Sequence, residues 1–237
     1  IIYDTCVVRK GKLIIPSFAI GRTQEIVYVL NKFFNDGTLP NIDIYVDSPL
    51  AVNATDIFRM HLDNLNDDVH NEIISERDSD PFGFNRLHYV KKADDSKALN
   101  TDPRPCIIIS ASGMAEAGRI KHHIANNIDN PQNTILVVGY CSPTSLGARI
   151  QEPGRKEISI FGEMHPINAK IMRIEAFSGH GDYKEMKDFI NCQDKSAVRQ
   201  TFLMHGEYEV QEFYSKILAE DGFRKVEIPA FGEEFEV

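Results

Sequence analysis

The sequence has no hydrophobic run that approaches the roughly 20 residues needed to cross a lipid bilayer as a helix. Its first residues also lack the charged region, apolar region and cleavage site that together define a secretory signal peptide. Internal repeats and low-complexity tracts are missing as well, which argues against a repeat architecture. These absences predict an ordinary globular protein of the cytoplasm.

Cysteine is scarce, with four residues among 237 and no C-x-x-C pair. The wide spacing favours buried free thiols in a reducing compartment over a disulfide framework. Positive charge is scarce too, since 26 Lys and Arg against 35 Asp and Glu give a formal net charge of −9. This balance argues against a broadly basic surface that coats nucleic acid, although it leaves room for a local basic groove.

Short β-branched runs alternate with amphipathic stretches along the chain, which predicts β-α-β units. The runs are almost continuously apolar, as in a sheet that is covered on both faces. The predicted fold is therefore α/β, with a mostly parallel sheet flanked by helices. Strands are predicted over residues 12–16, 42–46, 106–109, 134–138, 158–161, 170–174, 201–204 and 225–228. Helices are predicted over residues 23–34, 51–61, 116–128, 184–191 and 210–219.

Three polar, glycine-containing loops follow predicted strands, over residues 16–25, 110–118 and 140–149. Because parallel strands end at one edge of a sheet, these loops would gather at the usual ligand crevice. Their hydroxyls, small residues and arginine suit a phosphate group, but helix capping and tight packing explain the same residues without a ligand. The candidate phosphate-binding residues are Ser17, Arg22, Ser110, Ser112, Gly113 and Ser142.

The helix predicted over residues 116–128 carries a small basic cluster on this otherwise acidic chain, formed by Arg119, Lys121, His122 and His123. A solvated helix face is the simpler interpretation of such a cluster. The two adjacent histidines would point to different faces of the helix, so they are not expected to bind one metal ion together.

Two histidines stand where a predicted strand stops and glycine breaks the backbone, His180 within SGHGD and His205 within MHGE. The helix and strand between them would return the chain to the same sheet edge. His180 suits a general acid because imidazole titrates near neutrality, and His205 suits a metal ligand. Asp182 and Glu207 are candidate partners of these imidazoles, although Asp182 suits a helix N-cap equally well. Each histidine taken alone also fits an ordinary turn.

Five motifs in order resemble the β-CASP branch of the metallo-β-lactamase superfamily: PSFAIGRTQE from residue 16, DSPLA from 47, SASGM from 110, SGHGD from 178 and HGE from 205. The resemblance implies an RNA-processing nuclease in which two zinc ions activate water to hydrolyse a phosphodiester, leaving 5′-phosphate and 3′-hydroxyl ends. It further implies that His180 protonates the leaving oxygen, that His205 binds one zinc, and that Ser112 and Gly113 lie along the RNA backbone. His205 also favours RNA over DNA, because DNA-directed relatives tend to have Val there.

The chain departs from that family in lacking the zinc-binding signature H-x-H-x-D-H. Because a catalytic zinc takes about three protein ligands, we expect neither tightly bound zinc nor activity in these 237 residues alone. The resemblance implies a β-CASP domain over residues 1–172 and the C-terminal segment of a metallo-β-lactamase αββα fold over 173–237. Both would belong to a longer ribonuclease whose N-terminal portion completes the site. A non-catalytic RNA-binding scaffold is the alternative, and a homodimer is a further expectation from the family.

Overall fold

The computed structural model describes residues 1–67, 69–71, 80–177 and 181–236. By their internal contacts these residues divide into two compact units, Ile1–Gly179 and His180–Val237. The domain boundary predicted after residue 172 falls inside a strand, Lys170–Ile174, that pairs within the first unit. No helix in the described ranges combines the length and the apolar character needed to cross a membrane.

A six-stranded parallel sheet forms the centre of the first unit and confirms the predicted α/β class. Its strands are β1 (Leu13–Pro16), β2 (Asp43–Val46), β3 (Leu87–Tyr89), β4 (Cys106–Ser110), β5 (Thr134–Val138) and β8 (Lys170–Ile174). They lie in the order β3-β2-β4-β1-β5-β8, and every adjacent pair is parallel. The central strands β1, β4 and β5 are buried along their whole length, since helices cover both faces.

Helices connect the strands and enclose two apolar cores. They are α1 (Arg22–Asn35), α2 (Pro49–Met60), α3 (Ala93–Thr101), α4 (Arg119–Asn127) and α5 (Leu146–Arg149). Alternate residues of β1 divide between the cores: Leu13 packs in one and Ile14 in the other. The first unit also contains a π-helical segment, Tyr3–Val8, and a 3-10 turn, Leu62–Asn64.

Two antiparallel strands, β6 (Glu157–Ile160) and β7 (Glu163–Pro166), form a hairpin beside the main sheet. Ile158 and Ile160 are buried in the same core as residues of α4, which anchors the hairpin to that helix. Phe161 and Gly162 form the turn between the strands, and both have positive φ angles. The strand predicted over 158–161 therefore ends one residue earlier, and β7 was not predicted.

The second unit contains α6 (Tyr183–Ile190), β9 (Thr201–Phe202), α7 (Tyr208–Glu220) and β10 (Val226–Glu227), with β9 and β10 paired in parallel. Its small core is built on Tyr214, Leu218 and Phe223. The Asp221 carboxylate, which follows α7, forms ion pairs with Lys187 at 3.0 Å and Lys195 at 2.9 Å. These two lysines hold the pKa of Asp221 at about 2, well below its ordinary value.

Candidate functional site

Asp47 lies at the carboxyl edge of the sheet, directly after the last residue of β2. It is fully buried, and side chains from two helices meet its carboxylate. From α4, Arg119 Nη1 lies 2.6 Å from Oδ1 and His123 Nε2 lies 2.6 Å from Oδ2. From α3, the Ser96 hydroxyl donates to Oδ2. The strand β2 and the helices α3 and α4 are thus joined at one buried carboxylate.

The electrostatics of Asp47 depend on these partners. Burial by itself raises the pKa of the carboxyl group, because a charge loses its hydration inside the protein. The hydrogen bonds from His123, Ser96 and Arg119 act in the opposite direction and outweigh burial, so the pKa of Asp47 lies below its ordinary value. Asp47 is therefore a carboxylate at neutral pH, compensated by the cation of Arg119.

Polar groups on the far side of the His123 ring from Asp47 hold this imidazole in place. Its Nδ1 atom lies 2.8 Å from Asn100 Oδ1, which also accepts a hydrogen bond from Asn127 Nδ2 at 3.2 Å. The buried Lys12 donates to the backbone oxygens of Leu99 at 2.6 Å and Asn100 at 3.2 Å, and burial lowers its pKa. Its ammonium group caps the end of α3, where helix carbonyls lack intrahelical partners.

Arg119 connects this buried network to the surface. Its Nη1 donates to the backbone oxygen of Val90 at 3.3 Å, and its Nη2 donates to that of Lys91 at 2.7 Å. The side chain keeps 22% of its surface exposed and forms part of a cleft of about 420 Å³. Residues lining the cleft include Asp47, Ser48, Leu50, Ser112, Gly118 and Arg119.

The loop between β4 and α4 forms one wall of this cleft and closes on itself. The Ser112 backbone N–H donates to the oxygen of Ala117 at 3.1 Å, and the Ala117 N–H donates to Ser112 Oγ at 3.4 Å. Gly118 has a φ of +78°, and an added Cβ would lie 2.5 Å from the backbone oxygen of Ala111. Only glycine fits there, and it lets the two ends of the loop approach each other closely.

Two of the predicted phosphate-binding hydroxyls, those of Ser17 and Ser110, do not face solvent. Both residues are buried. The Ser110 hydroxyl donates to the backbone oxygen of Asp47 at 2.7 Å, and that of Ser17 accepts from Thr23 Oγ1 at 3.1 Å. Their oxygens have partners among backbone and side-chain groups that the turns leave buried, and the predicted contact with a phosphate stays a prediction.

Arg22 and Ser142 also lie outside the cleft. The Arg22 guanidinium has 12% exposure, forms an ion pair with Glu25 at 2.8 Å, and lies 5.6 Å from the centre of the Phe177 ring. The charge of Arg22 is therefore paired within helix α1. Ser142 is half-buried, and its backbone oxygen accepts from the Ser145 hydroxyl at 2.7 Å.

Ser112 and Gly113 are the predicted residues that the structure brings to the cleft or beside it. Ser112 lines the cleft directly. Gly113 is buried behind it, where an added Cβ would lie 2.7 Å from the ring of Phe18. The Ser112 residue thus lines the cleft, and the absence of a side chain at Gly113 makes room for the ring of Phe18.

His180 lies outside the described residues, so its predicted role as a general acid stays a prediction. His205 follows β9 in the second unit and is exposed, with a φ of +64°. It lines a cavity of about 680 Å³ within that unit. Other residues around this cavity are Phe202, Gln211, Phe231 and Phe235.

Asp182 and Glu207, the predicted partners of these histidines, begin helices. The Asp182 carboxylate accepts from the backbone N–H groups of Lys184 at 2.7 Å and Glu185 at 2.9 Å, which lowers its pKa. Glu185 in turn accepts from the Asp182 N–H at 2.9 Å, completing a capping box. Asp182 therefore has the N-cap role that the sequence allowed as its alternative. Glu207 occupies the N-cap position of α7.

Comparison with protein families gives this geometry a context. A family model described as "Beta-Casp domain" matches residues 23–150, which are more than half of the chain. The chain belongs to the β-CASP family. A second model, described as a "Zn-dependent metallo-hydrolase RNA specificity domain", matches residues 164–229. Asp47, Arg119 and the cleft fall in the β-CASP match, and His205 falls in the second.

Several curated proteins resemble the β-CASP chain along most of its length. An RNase J-like protein of Methanocaldococcus jannaschii is 36% identical over 93% of this chain and 48% of its own length. A Thermus thermophilus protein named as a ribonuclease is 33% identical over 94% of this chain and 49% of its own length. Cleavage and polyadenylation specificity factor 73 of Drosophila melanogaster is 28% identical over 83% of this chain and 27% of its own length. The chain spans about half the length, or less, of these relatives.

The described residues of the β-CASP chain do not by themselves form a zinc site. Within those ranges, no three His, Cys, Asp or Glu side chains come together as metal ligands. Asp47 and His123 do meet, but Arg119 occupies the other carboxylate oxygen and the pair is sealed from solvent. His205 is exposed and has the chemistry of a single ligand.

The buried network of Asp47, Ser96, Asn100 and His123 was not predicted as part of the site. The sequence contained one signal, because Asp47 stands between a strand and the Ser48-Pro49 start of α2, within a motif that resembles the family. Nothing local indicated its partner, since Asp47 and His123 are 76 residues apart.

Proposed function

We propose that this chain forms the RNA-binding part of a zinc-dependent ribonuclease that hydrolyses phosphodiesters to 5′-phosphate and 3′-hydroxyl ends. The observation that carries the proposal is the cleft at the carboxyl edge of the sheet, within the β-CASP match. Relatives named as ribonucleases match the chain over more than nine-tenths of its length, which supports RNA as the substrate.

The cleft has a mostly apolar exposed wall that offers a sugar-phosphate backbone a small number of hydrogen-bonding groups. Asp47 and Arg119 neutralise one another at its floor, so the walls offer hydrogen-bonding groups without a strong charge of either sign. Ser112 supplies a hydroxyl, and Gly118 lets the loop that forms this wall pack tightly, because a side chain there would collide with the backbone oxygen of Ala111. Such contacts position a nucleic acid without reading its sequence.

For chemistry, we propose that His180 donates the proton to the leaving oxygen and that His205 supplies one zinc ligand. The remaining ligands would come from an N-terminal metallo-β-lactamase portion, which agrees with relatives about twice as long as this chain. The 237 residues alone are then inactive and bind zinc weakly. A nanomolar, stoichiometric zinc site found by calorimetry of the chain would contradict this assignment.

Two variants of the full-length protein test the proposal. His180→Ala should abolish cleavage of a labelled RNA while zinc content, measured by mass spectrometry, stays at the wild-type level. His205→Ala should lower the zinc content itself. Sensitivity of the products to a 5′-phosphate-dependent exonuclease checks which end carries the phosphate. Full activity in His180→Ala would remove the acid assignment, and a wild-type protein that binds RNA but never cleaves it would indicate a scaffold.

A further inference from the structure

An exposed aromatic ring with basic neighbours lies at the tip of the β6–β7 hairpin. Phe161 is 55% exposed and stacks on the imidazole of His122, with ring centres 4.6 Å apart and planes inclined by 29°. The ammonium group of Lys121 lies 5.1 Å from the centre of the same phenyl ring. A cation at this distance is attracted to the ring. We call Phe161, His122 and Lys121 the stacking patch.

Folding preferences do not explain a phenylalanine at this position. Phe161 and Gly162 occupy a two-residue hairpin turn, closed by the pair Ile160 and Glu163. Phe161 has a φ of +54°, in the left-handed region where Asn, Asp and Gly are favoured and a bulky residue is an outlier. Burial does not compensate for this, because more than half of the side chain faces solvent. A strained and exposed aromatic residue is an observation that points to a ligand.

His122 of the stacking patch lies one helical turn from the cleft. Arg119 lines the cleft, and His122 follows it by three residues on α4, so the two side chains are neighbours on one side of the helix. Ile120 and Ile124 of α4 share a buried core with Ile158 and Ile160 of the hairpin. The patch therefore has a fixed position relative to the cleft, one helical turn away.

We propose that the stacking patch binds single-stranded RNA leaving the cleft, with a base stacked on the Phe161–His122 ring pair and a phosphate bound by Lys121. This inference rests on the proposed function, because it extends the path of the same RNA strand. Aromatic rings beside cations are the usual platform for single-stranded nucleic acid. The surroundings favour RNA over a protein partner, since imidazole and ammonium groups flank the ring. Of the two residues that close the turn, Ile160 and Glu163, only Glu163 is acidic, and it is exposed.

The test uses the 237-residue chain and a fluorescein-labelled oligouridylate, titrated by fluorescence anisotropy in EDTA to prevent metal-dependent cleavage. Phe161→Asn removes the ring and places a favoured residue in the turn, so the fold is retained and its melting temperature should not fall. We expect binding to weaken by about 5- to 140-fold, the value of one stacked base. Phe161→Tyr keeps the ring and should bind like the wild type.

Two further variants separate the contributions. Lys121→Gln should reduce the slope of log affinity against log salt by about 0.7, the value for one phosphate contact with a single strand. Phe33→Ala removes a comparably exposed aromatic residue from the last turn of α1 and should leave RNA binding unchanged.

The outcomes distinguish this inference from the proposed function. Wild-type binding with unchanged affinity in Phe161→Asn would overturn the stacking patch and leave the proposed function intact. No RNA binding by the wild-type chain would overturn both. Loss of self-association in Phe161→Asn, with RNA affinity unchanged, would assign the ring to a protein interface and overturn the inference as well.

Discussion

Replacing Asp47 by Asn tests whether the buried carboxylate holds the first unit together. The substitution keeps the shape of the side chain and removes its charge. It leaves the cation of Arg119 without a counter-charge and turns an amide N–H group towards Arg119 or His123. Removing one partner from a buried ion pair typically costs about 3–5 kcal/mol. Even about 3 kcal/mol is a large part of the roughly 5–15 kcal/mol that stabilises a domain.

Hydrogen exchange followed by mass spectrometry measures this effect in the first unit by itself, in peptides from β2 and α4. The chain contains no Trp, so intrinsic tryptophan fluorescence is absent as a probe. A loss of about 3 kcal/mol should speed exchange of the slowest amides by about 140-fold, at roughly tenfold per 1.4 kcal/mol.

Asp43→Asn is the matched control because Asp43 lies on the same strand and pairs near the surface. Its partners are Arg86 at 3.2 Å and His88 at 3.3 Å, and both are substantially exposed. Such pairs contribute about 0–1 kcal/mol, so exchange should change by less than about fivefold. Equal effects of Asp43→Asn and Asp47→Asn would refute the central role of the Asp47 network.

Acid should remove the same stabilisation in the wild type. The pKa of Asp47 is lower in the folded chain than in an unfolded chain. Its contribution is therefore fully present above the unfolded value of about 4 and is lost as the pH falls through the folded value. The difference in exchange rate between wild type and Asp47→Asn should be constant near neutrality and shrink in that acidic range. A difference that persists unchanged there would contradict the assigned direction of the shift.

Two other predictions concern packing and thiol chemistry. Gly11→Ala should lower the melting temperature, because the new Cβ would lie 1.9 Å from the backbone oxygen of Gln132. An unchanged melting temperature would mean that the loop around Gln132 moves aside at little cost in free energy. Iodoacetamide at mildly alkaline pH should alkylate the exposed Cys192 first, because burial raises the pKa of Cys6 to about 11 and that of Cys106 to about 12. Peptide mapping that finds Cys6 modified as fast as Cys192 would contradict this order.

The sequence predicted the parallel sheet because its central strands β1, β4 and β5 are buried on both faces and are continuous apolar runs. β5 and β8 have their predicted bounds. β3 was missed because it has three residues, is only partly buried and includes a histidine, His88. β7 was missed because its residues are mostly exposed and it ends in Pro166. Short edge elements depend on tertiary contacts, and these leave little periodicity in the sequence.

The start of α4 shows how tertiary contacts override local pattern. Helical periodicity predicted a start at Glu116, but the helix begins at Arg119. The Glu116 carboxylate accepts a hydrogen bond from the backbone N–H of Leu146, and Gly118 adopts a positive φ. These features keep residues 112–118 as a loop, and that loop forms the wall of the cleft.

For the site, the predicted loops lie at the carboxyl edge of the sheet, and the phosphate contacts predicted for their residues stay predictions. The carboxyl ends of β1 and β4 do carry polar loops, as the parallel topology requires. Ser110 ends β4 with its hydroxyl turned inward to Asp47, whereas Ser112 lines the cleft. A pattern of small and hydroxyl residues does not distinguish these two orientations, because the Ser110 partner, Asp47, is distant in sequence, whereas the Ser112 hydroxyl accepts from Ala117 in its own loop.

The Asp47 network also fixes the distance between the cleft and the stacking patch, as the proposed binding of one RNA strand at both places requires. Arg119 and His123 of α4 are fixed to Asp47, and Asn127 in the last turn of that helix donates to Asn100 of α3. The helix is therefore anchored along its length, although His122 is exposed and Lys121 is partly exposed. Since Lys121 and His122 belong to the same rigid helix as Arg119, their distance from the cleft stays constant. Loosening the buried carboxylate should then weaken RNA binding at both places together, whereas changing the stacking patch affects only one.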